Sequence, residues 1–134
     1  MTVAERKIDL AWKLLRGGFA LVPFAAGLDK FLGLLADWEM YLSPTVANLL
    51  PVAPATFLRM SGVVEMAVGL LMLTRWVRFA AYAASAWLVA IAINLVMSGM
   101  FFDVAVRDLA LALAAFVLAL LTEARAARPA SAAA

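Results

Sequence analysis

The chain contains no histidine and no cysteine among its 134 residues. Without imidazole or thiolate side chains it cannot ligate haem through histidine, hold zinc or an iron–sulfur cluster through cysteine, or build a Ser–His nucleophile pair. We therefore predict no metal site, the sequence assigns no catalytic residues, and we expect no enzyme activity from this chain on its own. A redox role would require a cofactor that is held by other groups or by another subunit.

Charge is also scarce in this sequence. Charged residues make up 15% of the chain and hydrophobic residues 67%, against about 25% and 45–50% in soluble domains. The mean hydropathy is +1.00. The net charge of +2 is small, and the basic residues lie at the ends of apolar stretches, so we predict no nucleic-acid partner. The composition predicts a single-domain polytopic membrane protein whose first partner is the lipid bilayer.

Four apolar stretches are each close to the roughly 20 residues that cross a bilayer core. They lie at about 8–28, 57–74, 79–100 and 104–121. We predict an all-α fold, a bundle of four transmembrane helices, with an amphipathic interfacial segment at 31–56 between the first two. Trp38 and Tyr41 are the interfacial aromatic residues of that segment. The alanine-rich tail at 123–134 is expected to be disordered.

The basic residues predict the orientation in the membrane. Eight of the 11 lysines and arginines fall on the side that carries both termini, namely Arg6, Lys7, Lys13, Arg16, Arg75, Arg78, Arg125 and Arg128. Three fall on the other side, namely Lys30, Arg59 and Arg107. By the positive-inside rule, both termini are predicted to be cytoplasmic in a multi-pass, bacterial-type inner membrane protein.

Glu65 lies in the middle of the second apolar stretch, where a carboxylate must be protonated, paired or in contact with a wet cavity. Ser61, Glu65 and Gly69 follow a helical stripe of small residues, which predicts that Glu65 faces the bundle interior. Counted from the cytoplasmic ends, Arg16 and Glu65 lie at similar depths, so we predict that they pair. Together they form the floor of a polar funnel that opens outward.

Ten residues are candidates for this site. The predicted polar core consists of Arg16, Lys30, Glu65, Asn94 and Asp108. The predicted outer rim consists of Asp29, Trp38, Arg59, Asp103 and Arg107. The alternatives for Glu65 are a packing role in the pair with Arg16 or a protonated form that faces lipid. For Asn94 the alternative is an inter-helix hydrogen bond. A position at headgroup level is the alternative for Asp29, Lys30, Arg107 and Asp108, and packing or interfacial anchoring is expected for Trp38, Trp76 and Trp87.

The sequence resembles the DoxX-like group of small four-span membrane proteins over residues 10–121. The resemblance rests on Leu-Arg-Gly-Gly at 15–18, Ala-Gly-Leu-Asp-Lys-Phe at 26–31, Ser-Gly-Val-Val-Glu-Met-Ala-Val-Gly-Leu at 61–70, and the hairpin from Asn94 to Asp108. It implies association with a membrane oxidoreductase system, in some members with quinone as the acceptor, and it places the polar core at the residues above. The absence of cysteine argues against direct thiol chemistry.

Three hypotheses for the function follow. The first is an auxiliary subunit of a membrane redox system, linked to quinone, with a polar intramembrane site. The second is a structural or assembly subunit without catalytic activity, which packs on a membrane or extracytoplasmic protein partner or on further copies of itself. The third is a small-solute or proton-coupled transporter, although four spans are few for that task.

Overall fold

The computed structural model describes residues 1–129, and these residues form five α-helices and no strand. The helices are α1 (Val3–Leu32), α2 (Pro44–Leu49), α3 (Pro54–Leu71), α4 (Val77–Ser98) and α5 (Phe102–Ala126). A single 3₁₀ turn, Trp38–Tyr41, lies between α1 and α2.

The ends of the helices have local causes in the sequence. Thr2 and Glu5 form a capping box that starts α1, because the Thr2 hydroxyl accepts from the Glu5 amide at 3.1 Å while Glu5 accepts from the Thr2 amide at 2.6 Å. Gly33 ends α1 with φ 65°, a left-handed conformation that suits glycine. Pro44 and Pro54 occupy the first turns of α2 and α3, where a missing amide hydrogen costs nothing.

The helices pack as two antiparallel pairs, α1 with α3 and α4 with α5. Glycine lets the first pair approach closely, since a Cβ atom placed on Gly62 would lie 2.6 Å from the Gly27 carbonyl oxygen, and one placed on Gly69 would lie 2.6 Å from that of Ala20. Alanine does the same in the second pair, where small side chains line the buried faces of α4 and α5. Small residues at helix contacts are typical of membrane bundles.

Three helices, α3, α4 and α5, are long and apolar enough to cross a membrane by length and composition. Large apolar side chains also face outward, such as Leu21, Val106 and Leu113. An apolar exterior of this extent indicates a lipid bilayer environment.

The helices lie close to the four predicted stretches, with their ends shifted by a few residues. Helix α5 continues to Ala126, so the first residues of the predicted tail at 123–134 are helical. Residues 130–134 of that tail lie outside the described part of the chain. In the predicted interfacial segment, the structure has the 3₁₀ turn and the six-residue helix α2.

The two ends of the bundle differ in what ties them together. At the end that carries both termini, the Trp12 indole donates to the Thr122 hydroxyl at 2.8 Å, and Asp9 forms an ion pair with Arg125. At the opposite end, the connection between α1 and α3 folds over the helices. Tyr41 packs there against Phe101, with 4.8 Å between the ring centroids.

Candidate functional site

The Glu65 carboxylate is held by two partners from two other helices. Its Oε2 lies 2.6 Å from the Lys30 Nζ, in an ion pair whose side chains are 6% exposed for Lys30 and 9% for Glu65. Its Oε1 accepts a hydrogen bond from the Trp87 indole nitrogen at 3.0 Å. Both carboxylate oxygens are therefore satisfied inside the bundle, and α1, α3 and α4 meet at this one group.

The side chain of Lys30 extends from its backbone toward the interior of the bundle to reach Glu65. Its Cβ lies beside Gly62, where a Cβ on the glycine would be 3.2 Å away. Glu65 is three residues further along α3, which is about 4.5 Å deeper at 1.5 Å per residue. The flexible four-carbon stem of lysine spans this step, and the absence of a side chain on Gly62 leaves room for it.

The ring of Trp38 covers the ammonium group of Lys30. The Lys30 Nζ lies 4.0 Å from the centroid of the Trp38 ring, which is a cation–π contact. The indole nitrogen of Trp38 in turn donates to the Asp29 carboxylate at 2.8 Å. A continuous chain of contacts therefore runs from Asp29 through Trp38 and Lys30 to Glu65 and Trp87.

Asp29 was expected at the exposed rim, but it is only 3% exposed. Its carboxylate accepts backbone hydrogen bonds from Leu34 at 2.8 Å, from Leu35 at 3.0 Å and from Ala36 at 3.3 Å. These bonds fold the turn that follows α1 back onto the helix end. Asp29 therefore positions Trp38 over Lys30, because both the turn and the indole are bonded to the same carboxylate.

The predicted ion pair between Arg16 and Glu65 is wrong. The Arg16 guanidinium instead donates to two carbonyl oxygens at the end of α3, from Nε to Met72 at 2.6 Å and from Nη2 to Thr74 at 3.3 Å. A cation is favourable there, since the last carbonyls of a helix carry its negative end. Lys30 is therefore the charged partner of Glu65, and Arg16 caps the end of α3 nearer the termini.

Asn94 joins α4 to the connection between α1 and α3. Its amide nitrogen donates to the Tyr41 carbonyl at 2.7 Å, and its amide oxygen accepts from the Ser43 backbone at 2.9 Å. Ser43 is completely buried. The side chain of Asn94 thus fixes the position of the connection and does not contact Glu65 in the hydrogen-bond network.

The three charged candidates at the start of α5 lie outside this network. Arg107 and Asp103 form an exposed ion pair one helical turn apart, with 3.4 Å between Nη2 and Oδ2. Asp108 is half-buried and forms no hydrogen bond or ion pair within residues 1–129. The structure therefore does not bring Asp108 to the Lys30–Glu65 pair.

A cavity of about 340 Å³ opens beside Lys30, at the end of the bundle where α1 ends and α3 starts. We name it the loop-side cavity, because the turn after α1 forms one wall and the start of α3 forms the other. Its walls include the side chains of Lys30, Trp38 and Arg59, together with the acidic residues Asp37 and Glu39. This volume is at the lower end of the range of small-molecule pockets, and the cavity is widely open to its surroundings.

The donor set at the site limits its chemistry. Within residues 1–129, no group of three or more acidic, histidine or cysteine side chains could hold a metal ion. In the same residues, every buried side-chain nitrogen and oxygen atom has a hydrogen-bond partner. Arg59 presents a guanidinium at the loop-side cavity, and Asp37 and Glu39 present carboxylates, whereas the Lys30 ammonium is already engaged by Glu65 and Trp38. The cavity therefore offers both hydrogen-bond donors and acceptors to a polar ligand.

Trp87 is a part of the site that the sequence did not identify as such. Its position on the same face of α4 as Asn94 was visible as a helical stripe, but packing or interfacial anchoring was expected for its ring. A buried indole N–H requires an acceptor. Glu65 is a buried carboxylate in the adjacent helix α3. The need of the Trp87 indole for an acceptor could therefore have predicted its hydrogen bond to Glu65.

The chain matches no protein-family model, and no curated protein and no solved structure is significantly similar to it. The resemblance to the DoxX-like group therefore stays a prediction from the residues quoted above.

Proposed function

We propose that this protein is a DoxX-like, four-span membrane protein of a bacterial-type inner membrane, with α1 as the fourth span. The packing of α1 along the whole of α3 supports this proposal. At 1.5 Å per residue, its 30 residues extend about 45 Å, which exceeds a hydrocarbon core of about 30 Å. The charged residues Asp9, Lys13 and Arg16 then lie near the cytoplasmic surface, and the turn and α2 lie at the outer interface.

We further propose that it acts as an auxiliary subunit of a membrane redox system and binds a quinone in the loop-side cavity. The observation that carries this proposal is the buried Lys30–Glu65 pair at the edge of that cavity. A quinone presents two carbonyl oxygens as acceptors, which suit the guanidinium of Arg59 in the cavity wall. Its reduced form presents hydroxyl donors, which suit the carboxylates of Asp37 and Glu39 in the same wall.

The surroundings of the cavity also suit a ligand with an apolar tail. Phe31, Leu34 and Leu35 next to it are 47%, 80% and 73% exposed. Such a surface is favourable in lipid and unfavourable in water. A polyprenyl chain could follow these side chains into the bilayer while the ring occupies the polar cavity, without entering the bundle core.

Binding of a short-chain ubiquinone to the purified protein in lipid nanodiscs tests this proposal. We expect saturable binding that Arg59→Gln weakens by about tenfold or more, because a hydrogen bond to a charged group contributes about 1.5–3 kcal/mol. Arg107→Gln, the matched control at the same end of the bundle, should leave the affinity unchanged. Absence of saturable binding, together with unchanged quinone reduction in membranes that lack the protein, would reject the proposal.

A second candidate function is a structural or assembly subunit. It is supported by the complete pairing of the buried side-chain atoms within residues 1–129, since a fully satisfied network fixes a packing arrangement without a ligand. On this hypothesis, deletion of the protein lowers the amount of a co-purifying membrane partner, and charge-removing variants at Arg59 have no effect. Unchanged partner levels after deletion would reject it.

A further inference from the structure

A second cavity, of about 440 Å³, lies at the end of the bundle that carries both termini. We name it the terminal-side cavity. The turn between α3 and α4 contributes Arg75, Trp76 and Arg78 to its wall, and the last turns of α5 contribute Thr122 and Glu123. It is far along the bundle from the loop-side cavity and shares no lining residue with it.

Two arginines at this cavity are held by aromatic rings and not by carboxylates. The Arg75 Cζ lies 5.2 Å from the centroid of the Trp76 ring, and the Arg78 Cζ lies 4.6 Å from that of the Phe79 ring. Within residues 1–129, neither guanidinium takes part in an ion pair or donates a hydrogen bond. Their donors therefore remain available for an anion, and stacked guanidinium groups suit the paired oxygens of a phosphate.

The acidic residue in the wall is already engaged. Glu123 Oε1 accepts a hydrogen bond from the Tyr82 hydroxyl at 3.0 Å. The Thr122 hydroxyl is likewise occupied, since it donates to the Leu118 carbonyl at 2.8 Å and accepts from the Trp12 indole. The two arginines outnumber the one carboxylate, so the cavity has an excess of positive charge.

We propose that the terminal-side cavity binds the phosphodiester headgroup of an anionic phospholipid. A free phosphate ester offers the same oxygens, but the apolar surroundings favour the lipid. Trp76 and Phe79 are 47% and 54% exposed beside the two arginines, and an aromatic ring next to a basic side chain is typical of the membrane–water interface. Basic pockets between membrane helices bind lipid headgroups in this way. This site is independent of the proposed quinone site.

Native mass spectrometry of the full chain released from nanodiscs tests this proposal, with phosphatidylglycerol mixed into phosphatidylcholine. We expect retained phosphatidylglycerol, reduced by about thirtyfold in Arg75→Gln/Arg78→Gln, because each of the two basic side chains near an anionic surface contributes about 1 kcal/mol. The matched control is Arg6→Gln/Lys7→Gln, which removes the same charge from exposed positions of α1 and should leave lipid retention unchanged. Arg75→Lys/Arg78→Lys keeps the charge and should retain most of the lipid.

Three outcomes would overturn the proposal. The first is no enrichment of phosphatidylglycerol over phosphatidylcholine in the wild type. The second is an equal loss in both glutamine double variants, which would show a general effect of net charge. The third is displacement of the lipid by soluble glycerol 3-phosphate at comparable concentration, which would identify a site for free phosphate esters. No displacement by glycerol 3-phosphate supports the lipid headgroup as the ligand.

Discussion

Lys30 and Glu65 form a buried ion pair with 2.6 Å between Nζ and Oε2, and the Trp87 indole holds the second carboxylate oxygen. Breaking one partner of such a pair leaves an uncompensated charge in a medium that solvates it poorly. Removing both charges avoids that penalty. The two single substitutions should therefore together cost more stability than the double substitution does, and a double-mutant cycle measures this difference.

We expect Lys30→Met alone to lower the free energy of unfolding by about 3–5 kcal/mol, because Glu65 loses its counter-charge. In Lys30→Met/Glu65→Gln both charges are absent and the amide oxygen still accepts from Trp87, so most of the stability should return. Unfolding in mixed detergent micelles measures both values. If the losses of stability in Lys30→Met and Glu65→Gln simply add up in the double variant, the pairing is contradicted.

Arg16 should behave as a helix cap that is independent of Glu65. We expect Arg16→Gln to lower the free energy of unfolding by about 1.5–3 kcal/mol, through loss of the charged bonds to the Met72 and Thr74 carbonyls. The coupling energy with Glu65→Gln should stay below about 0.5 kcal/mol, as for sites without a shared partner. A coupling energy of several kcal/mol in the same assay would contradict this and would support the Arg16–Glu65 ion pair that the sequence predicts.

The sequence was sufficient to predict that Glu65 is buried on a face of small residues, because Glu65 and Gly69 share a helical stripe. It was insufficient to predict which basic residue pairs with Glu65. The depth count assumed a first span that starts at about residue 8, whereas α1 starts at Val3, and Gly27 and Ala20 lie opposite Gly62 and Gly69. This register places Arg16 beside the residues that follow α3 and Lys30 beside Gly62. The flexible stem of Lys30 then carries its charge past Gly62 to the Glu65 carboxylate.

The turn after α1 was also beyond prediction from the sequence. Asp29 looked like a headgroup-level charge because it follows an apolar stretch. Its carboxylate is buried because it accepts hydrogen bonds from three backbone N–H groups and from the Trp38 indole. These four donors reach Asp29 only when residues 34–38 fold back on it. A contact that is created by the turn itself leaves no periodic pattern in the sequence.

Gly62 should be intolerant of a side chain, unlike Gly18. An alanine Cβ at Gly62 would meet the Gly27 carbonyl at 2.6 Å, whereas nothing lies within 4 Å of one at Gly18. We expect Gly62→Ala to cost about 1–3 kcal/mol by forcing α1 and α3 apart. Gly18→Ala should be neutral or should stabilise by up to about 1 kcal/mol, since alanine favours the helix. Equal thermal stability of the two variants would contradict the close approach.

The absence of cysteine makes the proposed orientation directly testable. Single cysteines at Thr45 in α2 and at Ala127 after α5 are both at exposed positions. We expect a membrane-impermeant maleimide to label Thr45→Cys in intact cells and Ala127→Cys only after permeabilisation. Labelling of Ala127→Cys in intact cells would show that the C-terminal side is outside, and the assignment from the basic residues would then be reversed.

The most direct test of the proposed function is photo-crosslinking with an azido-quinone, followed by mapping of the labelled peptides in the nanodisc-embedded protein. We predict saturable labelling confined to peptides within residues 30–59, abolished by excess unlabelled quinone and reduced in Arg59→Gln, since the residues that line the loop-side cavity all fall in this range. Labelling that does not saturate, or that spreads over the lipid-facing surfaces of α4 and α5, would contradict a quinone site beside the Lys30–Glu65 pair.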